Sequence, residues 1–377
     1  MKPLQMSSDL NKELGRRLRA ARLEAGITTE EADVALAIGT GWTHGFEEGA
    51  VPISIDAALS MVSLYQSDVH QMFDRLDALS IGIYRSLNAE EVDGELIFSF
   101  PLGEHDATYF LPDATSSDWR KVLDSMQGGF AANDLVGAVV ESFQCAMRLW
   151  PNANPSDIWT FVIAQAFLDP FNHPARDARR DWPQSWKRTA GWALERVVVA
   201  HYQDFLAANS VSIAILPKPE IAELFAEAGL GHEAVPDKAD VMLFTNHRGR
   251  NRLVGVVHVK ASFAERRTDD IPMSRALIAA GYFSPLWTLD IKSRPGPLPV
   301  NIGELGPTLT VGESDQRSEK RKDIEQNGSF SGCFSYNART IPTPQDQQDV
   351  AARVFVCNFA DPNDEFSRAV IKAASIR

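Results

Sequence analysis

Residues 236–267 read PDKADVMLFTNHRGRNRLVGVVHVKASFAERR, and the fold of the C-terminal half turns on this stretch. ADVMLFT and RLVGVVHVKAS are two runs rich in β-branched and apolar residues. They flank a polar His247-Arg248-Gly249-Arg250-Asn251 segment, the pattern of a β-hairpin. Asp240 opens the first strand. His258 and Lys260 lie two residues apart on the second, so their side chains leave the same face of the sheet.

Working outward, residues 185–209 (SWKRTAGWALERVVVAHYQDFLAAN) carry helical spacing, with Trp192, Val198, Val199 and Phe205 as an apolar stripe and Glu195 mid-helix. A strand (VSIAILP) and a helix (PEIAELFAEAG) precede the hairpin. A helix (PMSRALIAAG) and a buried strand (PLWTLDIKS) follow it.

This order of elements resembles the PD-(D/E)xK nuclease superfamily, the fold of most type II restriction endonucleases. The resemblance implies an α/β C-terminal nuclease domain, a mixed central sheet flanked by helices, acting on double-stranded DNA with Mg²⁺ or Mn²⁺. Asp240 matches the family aspartate; Pro236-Asp237 competes for that place, but Asp240 immediately precedes the apolar strand. Lys260 matches the family lysine, and Glu195 the acid that many members carry on the preceding helix. Phosphodiester hydrolysis needs a hard divalent cation held by carboxylates and a cation near the attacking water. Asp240 and Glu195 would hold the metal, and Lys260 would position the water.

One residue departs from the pattern: the acid two before the lysine is His258 here. Imidazole is a poorer Mg²⁺ ligand than carboxylate. Either Glu195, Glu265, Asp269 or Asp270 supplies the missing charge, or the motif is Asp290-Ile291-Lys292 on the next strand, or the domain is catalytically silent.

Residues 11–81 read as four or five short helices. Gly26, Gly39 and Gly49 are placed to stop helices, and Thr28 or Thr29, Thr40 and Ser54 to cap them. Leu14-Gly15, Arg19, Arg22, Ala32 and Phe46-Glu47-x-Gly49 resemble the Cro/repressor-type helix-turn-helix family. That family implies a recognition helix near residues 40–46, with Thr40, Trp42, Thr43 and His44 reaching base edges. Yet there is no Lys or Arg between Glu24 and Arg75, while Glu30, Glu31, Asp33, Glu47, Glu48, Asp56, Asp68 and Asp74 are acidic. Such a face repels a phosphate backbone, and the alternative is a dimerisation or regulatory module with Arg16, Arg17, Arg19 and Arg22 on a solvated helix.

Between these parts, ELIFSFPLGE and ATYFLP suggest a hairpin, and two apolar segments suggest buried helices with Trp119, Trp150 and Trp159 in the core. Segment 293–332 reads as a surface loop carrying Arg317, Lys320, Arg321 and Lys322. The domain reading is therefore a helix-turn-helix domain (1–81), a mostly helical middle region (82–175) and the nuclease domain (176–377).

Charge supports this division. The chain of 377 residues has a formal net charge of −13, but residues 1–175 hold 11 Lys and Arg against 25 Asp and Glu, and residues 176–377 hold 26 against 25. A polyanion should meet the second part, where Arg248, Arg250, Arg266 and Arg267 are candidate DNA contacts. Three dispersed cysteines give no disulfide framework or CxxC pair and suit a cytoplasmic setting. No apolar run approaches the ~18 residues of a membrane span, and the P-loop, GxGxxG, HExxH and GxSxG motifs are absent.

The expectation is thus a type II site-specific endonuclease, working as a homodimer because one centre cuts one strand. A DNA-binding regulator with a silent nuclease-like domain and a methylation-dependent endonuclease are the alternatives.

Overall fold

In the computed structural model, residues 8–51, 53, 55–73, 87–169, 172–173, 182–247, 250–263, 267–294, 296–309 and 314–376 are described. The chain divides into two units, Met1–Arg85 and Ser86–Arg377.

The first unit holds helices α1 (Ser8–Glu24), α2 (Thr29–Ala35), α3 (Trp42–Glu47), α4 (Ile55–Leu64) and α5 (Val69–Phe73). Thr28 caps α2 and Glu31 closes the capping box. Thr40 does not cap α3. Gly41 takes that place at φ 82°, and the buried Asp33 carboxylate of α2 accepts hydrogen bonds from the Gly41 amide (2.6 Å) and the Thr43 amide (2.8 Å). The Ser54 cap lies outside the described residues.

Leu14, Leu18, Ala32, Phe46, Ile53 and Met61 form this unit's core. A Cβ at Gly15 would strike the Phe46 carbonyl oxygen, so the glycine sets how closely α1 and α3 cross. Arg22 is not on the solvated face that the alternative reading gave it. It is buried and forks onto the buried Glu47 carboxylate at 2.6 and 2.9 Å. Arg16 and Arg17 pair with Glu13, and Arg19 with Glu48.

The second unit begins with an antiparallel sheet of β1 (Asn88–Val92), β2 (Glu95–Leu102) and β3 (His105–Pro112). Helices α6 (Ser116–Ala131) and α7 (Leu135–Leu149) follow. Helix α8 (155–168) passes through a π-helical stretch, Ile158–Ile163. Then come α9 (Trp182–Ala208), β4 (Val211–Ala214), α10 (Lys218–Glu227), β5 (Val241–His247), β6 (Arg250–Lys260), α11 (Arg267–Ala279) and β7 (Leu286–Thr288). A ribbon of β8 (Ser293–Arg294) and β9 (Val300–Asn301), α12 (Glu319–Glu325), β10 (Cys333–Ser335), β11 (Val354–Val356) and α13 (Glu365–Ile376) complete it.

The central sheet is mixed, in the order β11-β10-β7-β6-β5-β4. β11, β10, β7 and β6 run parallel, while β6, β5 and β4 are antiparallel. Its two faces bury different helices. Val241, Val257 and Val259 share a core with Ala193, Leu194, Val197 and Val198 of α9. On the opposite face, Met242 and Val256 pack with Met273 and Leu277 of α11. Gly255 lets the chain at Phe283 approach β6, where any Cβ would collide with its carbonyl oxygen.

Phe143, Trp159 and Phe167 join Trp287 and Phe334 in the core that α9 shares. Trp150 and Trp159 are buried as expected, whereas Trp192 is 56% exposed; the buried stripe of α9 runs through Ala193, Leu194, Val197, Val198, Tyr202 and Leu206. The segment read as a surface loop contains buried structure. Arg321 is fully buried against Glu325 (2.6 Å), and Arg317 bridges Asp315 and Glu325. Among the described residues no helix is long and apolar enough to cross a membrane.

Removing one partner of a buried ion pair strands the other charge, which costs roughly 3–5 kcal/mol. Glu47→Ala should lower the stability of the first unit by that amount, and the double replacement Arg22→Met/Glu47→Leu should recover most of it in chemical denaturation. In the second unit, burial of His201 against Phe359 (ring centroids 4.4 Å) pulls its pKa down to about 4, with Asp361 opposing. The unfolded imidazole binds a proton below about 6.5 while the folded one stays neutral. Stability should therefore fall as pH drops from about 6.5 to 4, by at most about 3 kcal/mol from this group. His201→Phe should flatten that part of the profile in denaturant midpoints measured across pH.

Candidate active site

β6 ends on Lys260, and its alternation after Gly255 places Val256, His258 and Lys260 on the face covered by α11. The first residues of β5 pair with the second half of β6, Val241 opposite Val257, which brings Asp240, just before β5, beside the end of β6. There the Asp240 Oδ2 accepts hydrogen bonds from the Val259 amide (2.8 Å) and the Lys260 ammonium (2.6 Å). Helix α11 adds a second carboxylate: Asp270, in its first turn, lies with Oδ2 3.5 Å from Lys260 Nζ. An acid in the first turn is favoured by the positive end of the helix dipole. One ammonium is thus shared by carboxylates from the strand before it and the helix after it. Lys260 is 8% and Asp270 1% exposed.

His258 stands behind this group. Its Nε2 is 3.0 Å from Ser284 Oγ, which lies 2.8 Å from Ser274 Oγ, one helical turn beyond Asp270 on α11. Its Nδ1 is 4.0 Å from Asp270 Oδ1, and its ring meets Phe330 edge to face. Complete burial lowers its pKa to about 4, with Asp240 opposing and Lys260 reinforcing the shift. The imidazole is therefore neutral at pH 7 and adds no charge to the pocket. Ser274 and Ser284 had no sequence signal that singled them out, since hydroxyls of this kind occur throughout the chain.

The structure separates the sequence candidates. Asp240, His258 and Lys260 come together. Glu195 does not join them: it is half-buried on α9, which packs against the other face of the sheet. Of the three other acids, Asp270 enters the pocket, Asp269 is exposed and paired with Lys238 (2.7 Å), and Glu265 lies outside the described residues. Asp237 is exposed in a short 3₁₀ turn. The Asp290-Ile291-Lys292 alternative is excluded as a pocket. The buried Asp290 carboxylate is occupied by the amides of Glu304 (2.6 Å) and Leu305 (3.2 Å) and the Thr340 hydroxyl (2.6 Å), and Lys292 is exposed.

For the candidate DNA contacts, Thr40, Trp42 and His44 are exposed on the first unit, Trp42 with its ring against Phe46. Thr43 is fully buried and cannot reach a base edge, because α3 turns it towards the Asp33 cap. Arg248 and Arg266, and the side chains of Arg250 and Arg267, lie outside the described residues.

Asp240 and Asp270 offer hard oxygen donors around one lysine, the ligand type that suits Mg²⁺ or Mn²⁺, while among the described residues no third such ligand joins them. The neutral imidazole beside them is compatible with that choice without being required for it.

Residues 13–73 match the helix-turn-helix domain family. The type II restriction enzyme AgeI of Thalassovita gelatinovora is 36% identical over 238 residues, covering 61% of this chain and 81% of that protein. The crystal structure of the specific restriction endonuclease AgeI in complex with DNA superposes with a TM-score of 0.63 at 30% identity, covering 77% of this chain and 99% of that one. With this similarity extending over most of the relative's length, the chain belongs to the type II restriction enzymes.

Proposed function

We propose that this protein is a site-specific endonuclease that hydrolyses phosphodiesters of double-stranded DNA, with Asp240, Asp270 and Lys260 as its cleavage centre. The observation that carries the assignment of residues is the Lys260 ammonium shared between Asp240 (2.6 Å) and Asp270 (3.5 Å). Asp240 and Asp270 would hold a divalent cation, Mg²⁺ or Mn²⁺, which supplies charge stabilisation of the phosphoryl and leaving oxygens. Lys260 holds the attacking water and steadies the hydroxide as it forms. A P–O bond forms to that water as it gives up a proton to solvent, the P–O3′ bond breaks in line with it, and the 3′ oxygen takes a proton from solvent and leaves as a hydroxyl. His258, neutral and 3.0 Å from Ser284, ties β6 through Ser274 to the helix that carries Asp270. Cutting both strands of a two-fold symmetric site calls for a homodimer.

The first unit carries the helix-turn-helix fold, but its described arginines are engaged in ion pairs and α3 carries no Lys or Arg. Contacts from Thr40, Trp42 and His44 therefore add base reading without a large phosphate contribution.

Plasmid incubated with Mg²⁺ or Mn²⁺ should give discrete bands, and Lys260→Ala should abolish them. Gel shifts without nicking in either metal would contradict the assignment. Within the centre, Asp270→Asn should slow single-turnover cleavage by roughly 10²–10³-fold, the scale of losing a preorganised charge at the reacting phosphate. Glu195→Gln should change it by less than about threefold, since side chains outside a centre contribute little to such rates. A reversed order would move the second carboxylate back to α9.

A further inference from the structure

We propose that Arg339, aimed by Asp157, reads a guanine edge of DNA bound at the carboxyl edge of the central sheet, an inference that rests on the nuclease reading above. Lys260 is aligned with Thr288 on β7, and Thr288 with Ser335 at the end of β10. Ser335 therefore lies two strands, or about 10 Å, from the lysine along the same edge. Arg339 follows four residues later, and the chain that carries it is fixed. Its amide donates to Asn337 Oδ1 (3.0 Å), which also accepts from Asn154 Nδ2 (3.1 Å), while Asn337 Nδ2 donates to the Asp290 carbonyl (3.1 Å).

The guanidinium stands in a cleft of about 460 Å³ walled by Tyr109, Trp150, Asn154 and Asp157. Asp157 is 1% exposed and sits where α8 enters its π-helical stretch, a feature common at functional sites. It accepts from Arg339 Nη1 at 2.6 Å, while the arginine side chain remains 43% exposed. Among the described residues this is the one hydrogen bond the guanidinium makes, and Arg339 lines the cleft with the rest of its fixed fork.

The pairing decides between two ways an arginine meets DNA. A phosphate contact works through uncompensated charge, which displaces counterions. Arg339 has its charge offset by a buried carboxylate 2.6 Å away, so its long-range attraction for phosphate is small. What the pair keeps is direction: a planar donor fork held in one orientation. That matches the paired N7 and O6 acceptors of guanine, which are read by geometry.

Selection of bound and cleaved sites from a randomised duplex library tests this, with binding repeated at several salt concentrations. For the wild type a consensus containing guanine is expected. Arg339→Ala and Arg339→Lys should both lose discrimination at one base pair of each half-site, by about 5- to 100-fold, and keep the wild-type salt slope. Asp157→Asn, which frees the fork, should weaken the preference at that same position. The inference is overturned if Arg339→Ala retains the full consensus. It is overturned equally if Arg339→Lys behaves as wild type while Arg339→Ala weakens all duplexes alike with a salt slope smaller by about one, the mark of a phosphate contact. A wild type that selects no sequence would instead remove the nuclease reading itself.

Discussion

The end of β6 places an ammonium between two carboxylates that come from different directions, and the chemistry attributed to this chain depends on that convergence. Asp240 arrives from the approach to β5 and Asp270 from the first turn of α11, while Lys260 closes the strand between them. A buried acid and a partly buried one this close to a common point would repel each other in a medium of low dielectric. The lysine offsets that repulsion in the absence of metal, and the same carboxylates are hard donors for a divalent cation. Backbone pairing and helix packing fix the three groups, so the centre is a product of the sheet's topology more than of any loop.

His258 shows how the pocket's charge is set. An acid at this position, beside Asp240 and Asp270, would place a third negative charge under α11. An imidazole pushed down to about 4 by burial is neutral and fills the same space. The Ser274–Ser284–His258 chain ties β6 to α11 through hydroxyls, so the residue that departs from the family pattern serves the packing that positions Asp270.

Much of the fold was legible in the sequence because the hairpin at 241–260 and the helices around it carry strong periodicity. The alternation in β6 put His258 and Lys260 on one face correctly. Alternation does not say which helix covers that face, so Glu195 of α9 and the acids Glu265, Asp269 and Asp270 all stay candidates from sequence, and it is Asp270 on α11 that meets Lys260. The short run Asp269-Asp270 after the hairpin was the available signal, but only packing distinguishes the two: Asp269 turns outward to Lys238 and Asp270 inward. In the first unit, helix boundaries followed from Thr28, Gly26 and Gly49, whereas the burial of Arg22 and Thr43 depends on a partner helix. Charge composition likewise located basic residues at 317–322 but not the buried carboxylates that some of them serve.

The most direct check is an anomalous difference map from crystals of the protein with bound duplex and Mn²⁺. Density within about 2.0–2.3 Å of oxygens of both Asp240 and Asp270, with Lys260 beside the phosphate, is the result this account predicts. An ion held by Glu195 and Asp240 with Asp270 turned away would contradict it.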